Sequence, residues 1–501
     1  MNERIIVSGL NQFNWELRFV SNLKKMFNWD IVFWEVEKNS AILANQLMPD
    51  ANIIISKQSK KKRVEEFNKF NWPLIDEDII QEMTKYELIL WPSFLRNTQL
   101  SGIRGDISIK DEYHRAITFR YYFMKEFMPD LYFYGNVPTG FYPYVDYLIC
   151  KELGIKTILL RRIELPGFFA MPITSMIDHS LYIKKMMKSL KESKKVEIIK
   201  DNKVREYVES LSKDYSSAMP EEYGRIGGFK GAYKLDKNSG KLKSRKSWLF
   251  EVFKEMPREN LSRFKFFGKA IFYVIYRKNL QKEYNKLLVE ANPKKEKYIL
   301  VNLHYQPEAS SIPLGGMCAY QEIMISMLSR AIPKGWFVYV KEHPTHLMNN
   351  RIISSLKFRH KAFYENLSDY RNVKLISVSE NNFELIDSAQ AVATLTGTSG
   401  FEALNRGVVC LAFGYPWYMY ADGCLKISSM DELNNAIEKI VGGYHPSRNK
   451  IYKFVNTVLE NSIKGMFLQS DGDIKNNDSE NQYGKNQAIR FKEIISKIET
   501  I

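Results

Sequence analysis

Three short stretches in the second half of this chain put chemically capable side chains where an apolar run gives way to a turn. They are L-H-Y-Q-P-E at 303–308, V-K-E-H-P at 340–344 and L-T-G-T-S-G-F-E-A-L at 395–404. In the last, Thr396, Gly397, Thr398, Ser399 and Gly400 make a turn, 401–405 starts a helix, and Gly407 stops it. Small residues let backbone N–H groups close on an anion, and a helix N-terminus supplies partial positive charge. Thr398 and Ser399 add hydroxyl donors, and Glu402, in the first turn, suits the hydroxyls of a ribose. The same residues also spell an ordinary strand-to-helix cap, since Ser, Thr and Gly are common N-cap residues. In the second stretch Lys341, Glu342 and His343 end a strand and Pro344 stops its ladder. Charged groups are seldom buried unpaired, so this trio reads as a polar strand end, either solvated or facing a ligand. A histidine placed there can donate to a phosphate and stabilise a departing nucleotide. In the first stretch His304 and Gln306 line the same crevice, and Glu308 orders its loop by pairing with a cation.

The elements that position these residues follow from hydrophobic patterning. Runs 298–303, 336–340 and 391–395 read as short buried strands with helical patterns between them, which gives βαβ units and a parallel sheet. Ligands of open α/β sheets bind beyond the carboxyl ends of the strands, and all three motifs fall there. Strands at 372–378 and 408–413 complete a domain at 297–445. Trp417 and Tyr418 follow the last strand, where they either stack on a base or sugar or plug the domain's edge.

Residues 1–179 read as another doubly wound α/β domain, with strands at 4–10, 30–35, 52–56, 86–91, 131–134 and 156–160, and helices at 15–27, 111–127 and 144–153. No G-x-G-x-x-G follows its first strand. Its loops at 92–106 and 135–140, and Arg161, Arg162 and Glu164 after the last strand, are the places for a carboxylate that takes a proton from an acceptor hydroxyl. Glu164 is the first candidate base and Asp106 the second; each reads equally as a surface ion pair with a neighbouring arginine.

Residues 180–296 form a basic helical insertion, with a lysine-rich run at 184–203, a Gly/Lys loop at 224–240 and a basic, aromatic stretch at 247–284. Residues 240–285 either lie on an anionic bilayer as a peripheral, salt-sensitive contact or pack on the domain as a helical hairpin. Beyond 446, a helix at 449–466, a polar flexible stretch at 468–487 and a short helix at 491–498 are expected.

Composition narrows the partners. The chain has 501 residues, 45% hydrophobic, and a formal net charge of +16. This charge favours an anionic partner: membrane surface, acidic glycan or nucleic acid. With no helix-turn-helix, zinc-finger or RNP motif, nucleic acid is set aside. Cys150, Cys318, Cys410 and Cys424 are too dispersed for a metal or disulfide framework. Neither a signal peptide nor an apolar run of about 20 residues is present, so the expected location is cytoplasmic, with the inner face of the membrane as its possible contact.

Taken in order with F-G-Y-P-W-Y at 413–418, the three motifs resemble the capsule polysaccharide biosynthesis family, which includes bacterial β-Kdo transferases; the likeness spans 297–425. The resemblance implies a GT-B glycosyltransferase: two Rossmann-like domains facing a cleft, no metal or other cofactor, and a nucleotide sugar held mainly by the second domain. It implies an inverting transfer of an acidic sugar, Kdo or sialic-type, from a CMP-sugar to a glycan or lipid-linked acceptor of capsule or lipopolysaccharide. His343 would contact the phosphate, and Thr398 and Ser399 would hold it. The chain has Gly-Thr-Ser where the family pairs serines. The rivals are a teichoic-acid-type glycerophosphotransferase, a UDP-sugar enzyme or a 2-epimerase of related plan, and a non-catalytic glycan- or lipid-binding subunit.

Overall fold

The structure is a computed structural model that describes residues 2–10, 13–51, 53–55, 73–97, 106–176, 197–213, 233–235, 242–244, 275–306, 308, 310–347, 358–466 and 477–499. The chain divides into two compact units, one made of 1–193 and 456–501, the other of 194–455.

The first unit is built on strands β1 (Arg4–Ser8), β2 (Asp30–Val36), β3 (Ile53–Ile55), β4 (Leu131–Tyr134), β5 (Lys156–Ile163) and β6 (Phe169–Ile173). Their order in the sheet is β3-β2-β1-β4-β5-β6, a doubly wound arrangement in which only β6 runs antiparallel. The strand order reverses between β1 and β4, and two glycines meet at that point. Gly9 takes φ +76°, and a Cβ on Gly135 would lie 3.0 Å from the Leu10 nitrogen.

Three expectations change here. The run at 86–91 is not a strand: Glu87–Asn97 is a helix with Pro92 inside it, and its burial at Leu90 and Phe94, with Leu88 half exposed, follows a helical period. Arg161 and Arg162 lie within β5, which turns into the unforeseen β6 through a hairpin, and Glu164 follows the strand end. The C-terminal segment expected to be polar and flexible is, from 477 on, part of one helix, Asn477–Glu499. That helix docks on the helix Asn14–Phe27, with Trp15 against Tyr483 at 5.5 Å and Phe19 against Phe491 at 6.0 Å between ring centroids. Gly484 permits this approach, because a Cβ there would meet the Trp15 carbonyl at 2.9 Å. Ser479, Asn481, Gln482, Lys485 and Asn486 stay exposed while Glu480 and Gln487 are buried, and tertiary packing supplies what local propensity lacks.

The second unit holds a small hairpin, β7 (Tyr233–Leu235) and β8 (Leu242–Ser244), and a second six-stranded sheet. The strands of that sheet are β9 (Lys297–Asn302), β10 (Trp336–Lys341), β11 (Val373–Ile376), β12 (Ala391–Thr394), β13 (Val409–Ala412) and β14 (Cys424–Lys426). Their order is β11-β10-β9-β12-β13-β14 and every pairing is parallel. Both faces are covered, which is why these strands read as continuous apolar runs. Ile299, Val301, Val338, Val340, Ala391 and Ala393 pack in one core, while Tyr298 stacks on Tyr339 at 4.0 Å on the other face. Trp417 and Tyr418 are buried against Phe401, so they plug the domain.

Of the basic insertion, the described parts include a helix Asn202–Ser210, capped by the Asp201 carboxylate, and a helix at 275–286. The remainder of the proposed membrane-facing stretch lies outside the described residues, apart from the hairpin strands. No helix among the described residues is long and apolar enough to cross a membrane.

Candidate functional site

The second sheet reverses its strand order between β9 and β12, so the crevice for a ligand opens beyond their carboxyl ends. Register places the three motifs side by side there: Asn302 pairs with Lys341 across β9 and β10, and Val301 with Ala393 across β9 and β12.

The T-G-T-S-G loop is fastened from below. The helix begins at Thr398, three residues earlier than the sequence implies, with Gly397 as its N-cap. Thr394, at the end of β12, accepts from the Gly397 N–H at 3.1 Å and lies 2.9 Å from His304 Nε2. The same Nε2 accepts from the N–H groups of Leu395 (3.2 Å) and Thr396 (3.4 Å), so the ring proton belongs on Nδ1. Burial, reinforced by His343 and the Arg359 charge, holds the His304 pKa down to about 3. His304 is therefore a neutral acceptor inside the fold, and it orients the loop from beneath.

The top of the loop is anchored too. Thr396 Oγ1 donates to the Ser310 carbonyl at 2.6 Å, and the Tyr418 hydroxyl donates to the Gly397 carbonyl. Gly400 is a packing glycine, since a Cβ there would fall on the Tyr418 hydroxyl and lie 2.7 Å from Cys410 Sγ. Thr396, Gly397, Thr398 and Ser399 keep partial exposure at the first turn of the helix, although the Thr396 hydroxyl and the Gly397 N–H are spent within the loop and Thr398 bonds the Glu402 carboxylate.

The K-E-H-P stretch differs from the expectation of a polar strand end. Lys341 and Glu342 are buried, at 8% and 1% exposure, and only His343 stays half-buried. The reason is Arg359, a residue with no local sequence signal. Its guanidinium, 1% exposed, donates to Glu342 Oε2 (2.7 Å), Gln306 Oε1 (2.9 Å), the His304 carbonyl (3.2 Å) and the Phe358 carbonyl (2.9 Å). Glu342 also accepts from the Tyr364 hydroxyl at 2.7 Å and from the His343 N–H at 2.6 Å. Gln306 donates its N–H to His346 Nε2 at 2.9 Å and is bridged by Gln321 to the chain at His304. His304 and Gln306 thus form the inner frame rather than the lining. Glu308 is exposed and accepts from Ser310 Oγ at 3.1 Å. The side chain of Pro344 lies outside the described residues; the residue opens a short helix, Pro344–Leu347.

Two charges remain close to the crevice. Lys341 Nζ donates to the Glu380 carbonyl at 2.7 Å, and burial lowers its pKa to about 8, against the opposing pull of Glu380 and Glu402. Glu402 is half-buried; burial pushes its carboxyl up to about 7, although Thr398, Asn382, Lys341 and Arg406 all favour its ionised form. His343 is lowered to about 4, by burial first and then by Arg359 and Lys341, so it is neutral at pH 7. At neutral pH Lys341 is the cation, and His343, Thr398 and Ser399 are neutral donors.

In the first unit Glu164 is half-buried after β5, and burial raises its carboxyl while Arg161 and Arg162 oppose the shift. Asp106 opens the helix Asp106–Phe127, and its side chain lies outside the described residues.

Residues 254–424 match the family described as capsule polysaccharide biosynthesis protein. That segment holds all three motifs together with Arg359, Gln321 and Tyr364. A search of curated proteins finds no match. Solved structures similar to the chain include the UDP-GlcNAc 2-epimerase of Methanocaldococcus jannaschii, at 11% identity over 92% of this chain and 98% of that one, with a TM-score of 0.25. KpsC of Thermosulfurimonas dismutans, a beta Kdo 2,4 transferase, is 16% identical over 38% of this chain and 63% of that one, with a TM-score of 0.20. CalG4, the calicheamicin glycosyltransferase, is 12% identical over 100% of this chain and 99% of that one, with a TM-score of 0.23. The strand order within each unit, β3-β2-β1-β4-β5-β6 and β11-β10-β9-β12-β13-β14, is that of a doubly wound sheet.

Proposed function

We propose that the chain, with a capsule polysaccharide biosynthesis segment at 254–424, is a glycosyltransferase that takes a sugar from a nucleotide-sugar donor to a glycan acceptor. The observation that supports this reading is that strand register brings the three motifs together at the reversal point of the second sheet, with Lys341 at the end of β10 and Thr398 and Ser399 at the start of the helix after β12. Lys341 supplies charge to the donor phosphate. His343, neutral at pH 7, and the helix N-terminus at Thr398 donate hydrogen bonds that strengthen as the nucleotide leaves. Glu402 receives the ribose hydroxyls. Deprotonation of the acceptor falls to a carboxylate of the first unit, Glu164 before Asp106; burial gives Glu164 the raised pKa of a usable base. In this reading the donor is a CMP-sugar carrying an acidic sugar, as the resemblance of the motifs implies; the family match at 254–424 supports the role in capsule polysaccharide synthesis.

Calorimetric titration of the full chain with CMP, against UDP, CDP and GDP, tests the reading on wild type and His343→Ala. Micromolar CMP binding, weakened in the variant and absent with UDP, is the expected result. Tight UDP binding instead moves the donor to a UDP-sugar. No nucleotide binding by folded protein refutes the transferase and leaves a glycan- or lipid-binding subunit.

A further inference from the structure

Arg359 has the position of a part that joins the site together from behind. It reaches two strand exits at once, the His304 carbonyl and Gln306 after β9 and Glu342 after β10, and its guanidinium also lies over the Phe363 ring at 4.3 Å. Its partner Glu342 spends its other oxygen on the His343 N–H. Gln306 in turn holds His346 through its backbone N–H, and the Tyr305 ring lies 4.7 Å from His346 and 5.8 Å from His343. Every one of these groups is buried except His343, which keeps partial exposure. A planar fork with several donors can hold such a set of acceptors, whereas a point charge on a flexible stem cannot.

We propose that Arg359 is a positioning residue: by clasping Glu342, Gln306 and the His304 carbonyl it makes the exits of β9 and β10 one rigid floor and sets the backbone of His343, without touching a ligand. That a nucleotide lies on this floor rests on the function proposed above. The groups facing His343 are Arg359, Lys341, Glu342, His304, His346 and Tyr305, and the Arg359 charge also helps keep the imidazole neutral.

The test is hydrogen–deuterium exchange on the full chain, without nucleotide, for Arg359→Lys and for Arg359→Met combined with Glu342→Gln. The first keeps the charge and loses the fork. The second removes the buried pair as a unit, so that no lone charge is left to unfold the protein. In both, peptides covering 303–306 and 341–346 are expected to exchange at least about tenfold faster, together, with the strands β9, β10 and β12 as slow as in wild type. Selective histidine NMR adds a second readout. The pH at which His343 protonates, held low by burial first and by Arg359 second, stays low in Arg359→Lys and rises in Arg359→Met alone, where the cation is lost and the Glu342 carboxylate stays. Unchanged exchange, or a change confined to one strand exit, overturns the assignment, as does a His343 titration that ignores the loss of charge. A wild type that binds neither CMP nor UDP refutes the nucleotide reading alone, because the exchange result is obtained without ligand.

Discussion

Glu402 offers a quantitative check on the site, because a half-buried carboxylate whose ionisation burial opposes works against folding as pH rises. Its pKa stands at about 7 in the fold against an ordinary 4.5. Between those values the folded chain binds more protons than the unfolded chain, so stability falls as pH rises from 4.5, and the whole penalty is present above 7. At 1.36 kcal/mol per tenfold change, the penalty is about 1.4 kcal/mol at pH 5.5 and about 3.4 kcal/mol at pH 8.5. Glu402→Gln keeps the shape and removes the ionisation. Its stability advantage over wild type should therefore grow by about 2 kcal/mol between pH 5.5 and 8.5, as an upper bound given the residual solvent screening. For a unit of this size that is about 4 °C or more in Tm. Differential scanning calorimetry of both proteins at the two pH values measures it, and the difference between them cancels the titrating groups that do not couple to Glu402; Lys341, which does, adds to the change above pH 7. The variant should also bind CMP more weakly at pH 8. An advantage independent of pH, or a destabilised variant at pH 8.5, would refute the account of Glu402 as a strained carboxylate retained for a ligand.

Other expectations follow from the same geometry. Gly400→Ala places a methyl group on the Tyr418 hydroxyl and against Cys410, so it should cost about 1–3 kcal/mol from overpacking and lower CMP affinity with it; equal affinity and stability would contradict the loop's fastening. Tyr418→Phe, which loses the hydrogen bond to the Gly397 carbonyl, should cost about 1 kcal/mol in urea denaturation. The imidazoles of His304, His343 and His346 are all held below their ordinary 6.5, so the stability they contribute is complete above pH 6.5 and is lost as pH falls toward their folded values. In a Glu164→Gln, Glu402→Gln background, where both of these burial-raised carboxylates are gone, urea midpoints should fall from pH 7 to 4.5, and a flat profile would count against three buried neutral rings. Glu164→Gln should leave CMP affinity within about twofold while slowing transfer by about a hundredfold or more; full activity would pass the role of base to another group.

The sequence determined a good deal alone. Two α/β halves, the second with its parallel sheet, were legible because doubly covered strands must be apolar along their length, and 298–303, 336–340 and 391–395 each lie within a residue of β9, β10 and β12. The strand-to-helix turn at Thr396–Gly400 was legible because its chemistry is local, and Gly407 does end the helix, with φ +81°. Tertiary structure decided what depends on contacts between distant residues. Arg359 lies 17 residues from Glu342 and 53 from Gln306, and no spacing rule announces such partners, so a Lys-Glu-His strand end that seemed too polar to bury is in fact mostly inside. Of the helix Asn477–Glu499 only the part at 491–498 was legible; its first half was hidden for the same reason, since its packing side gains meaning only against Trp15 and Phe19. The period of apolar residues is written along the chain, but the satisfaction of a buried charge or an unpartnered helix face requires a group that only folding brings near.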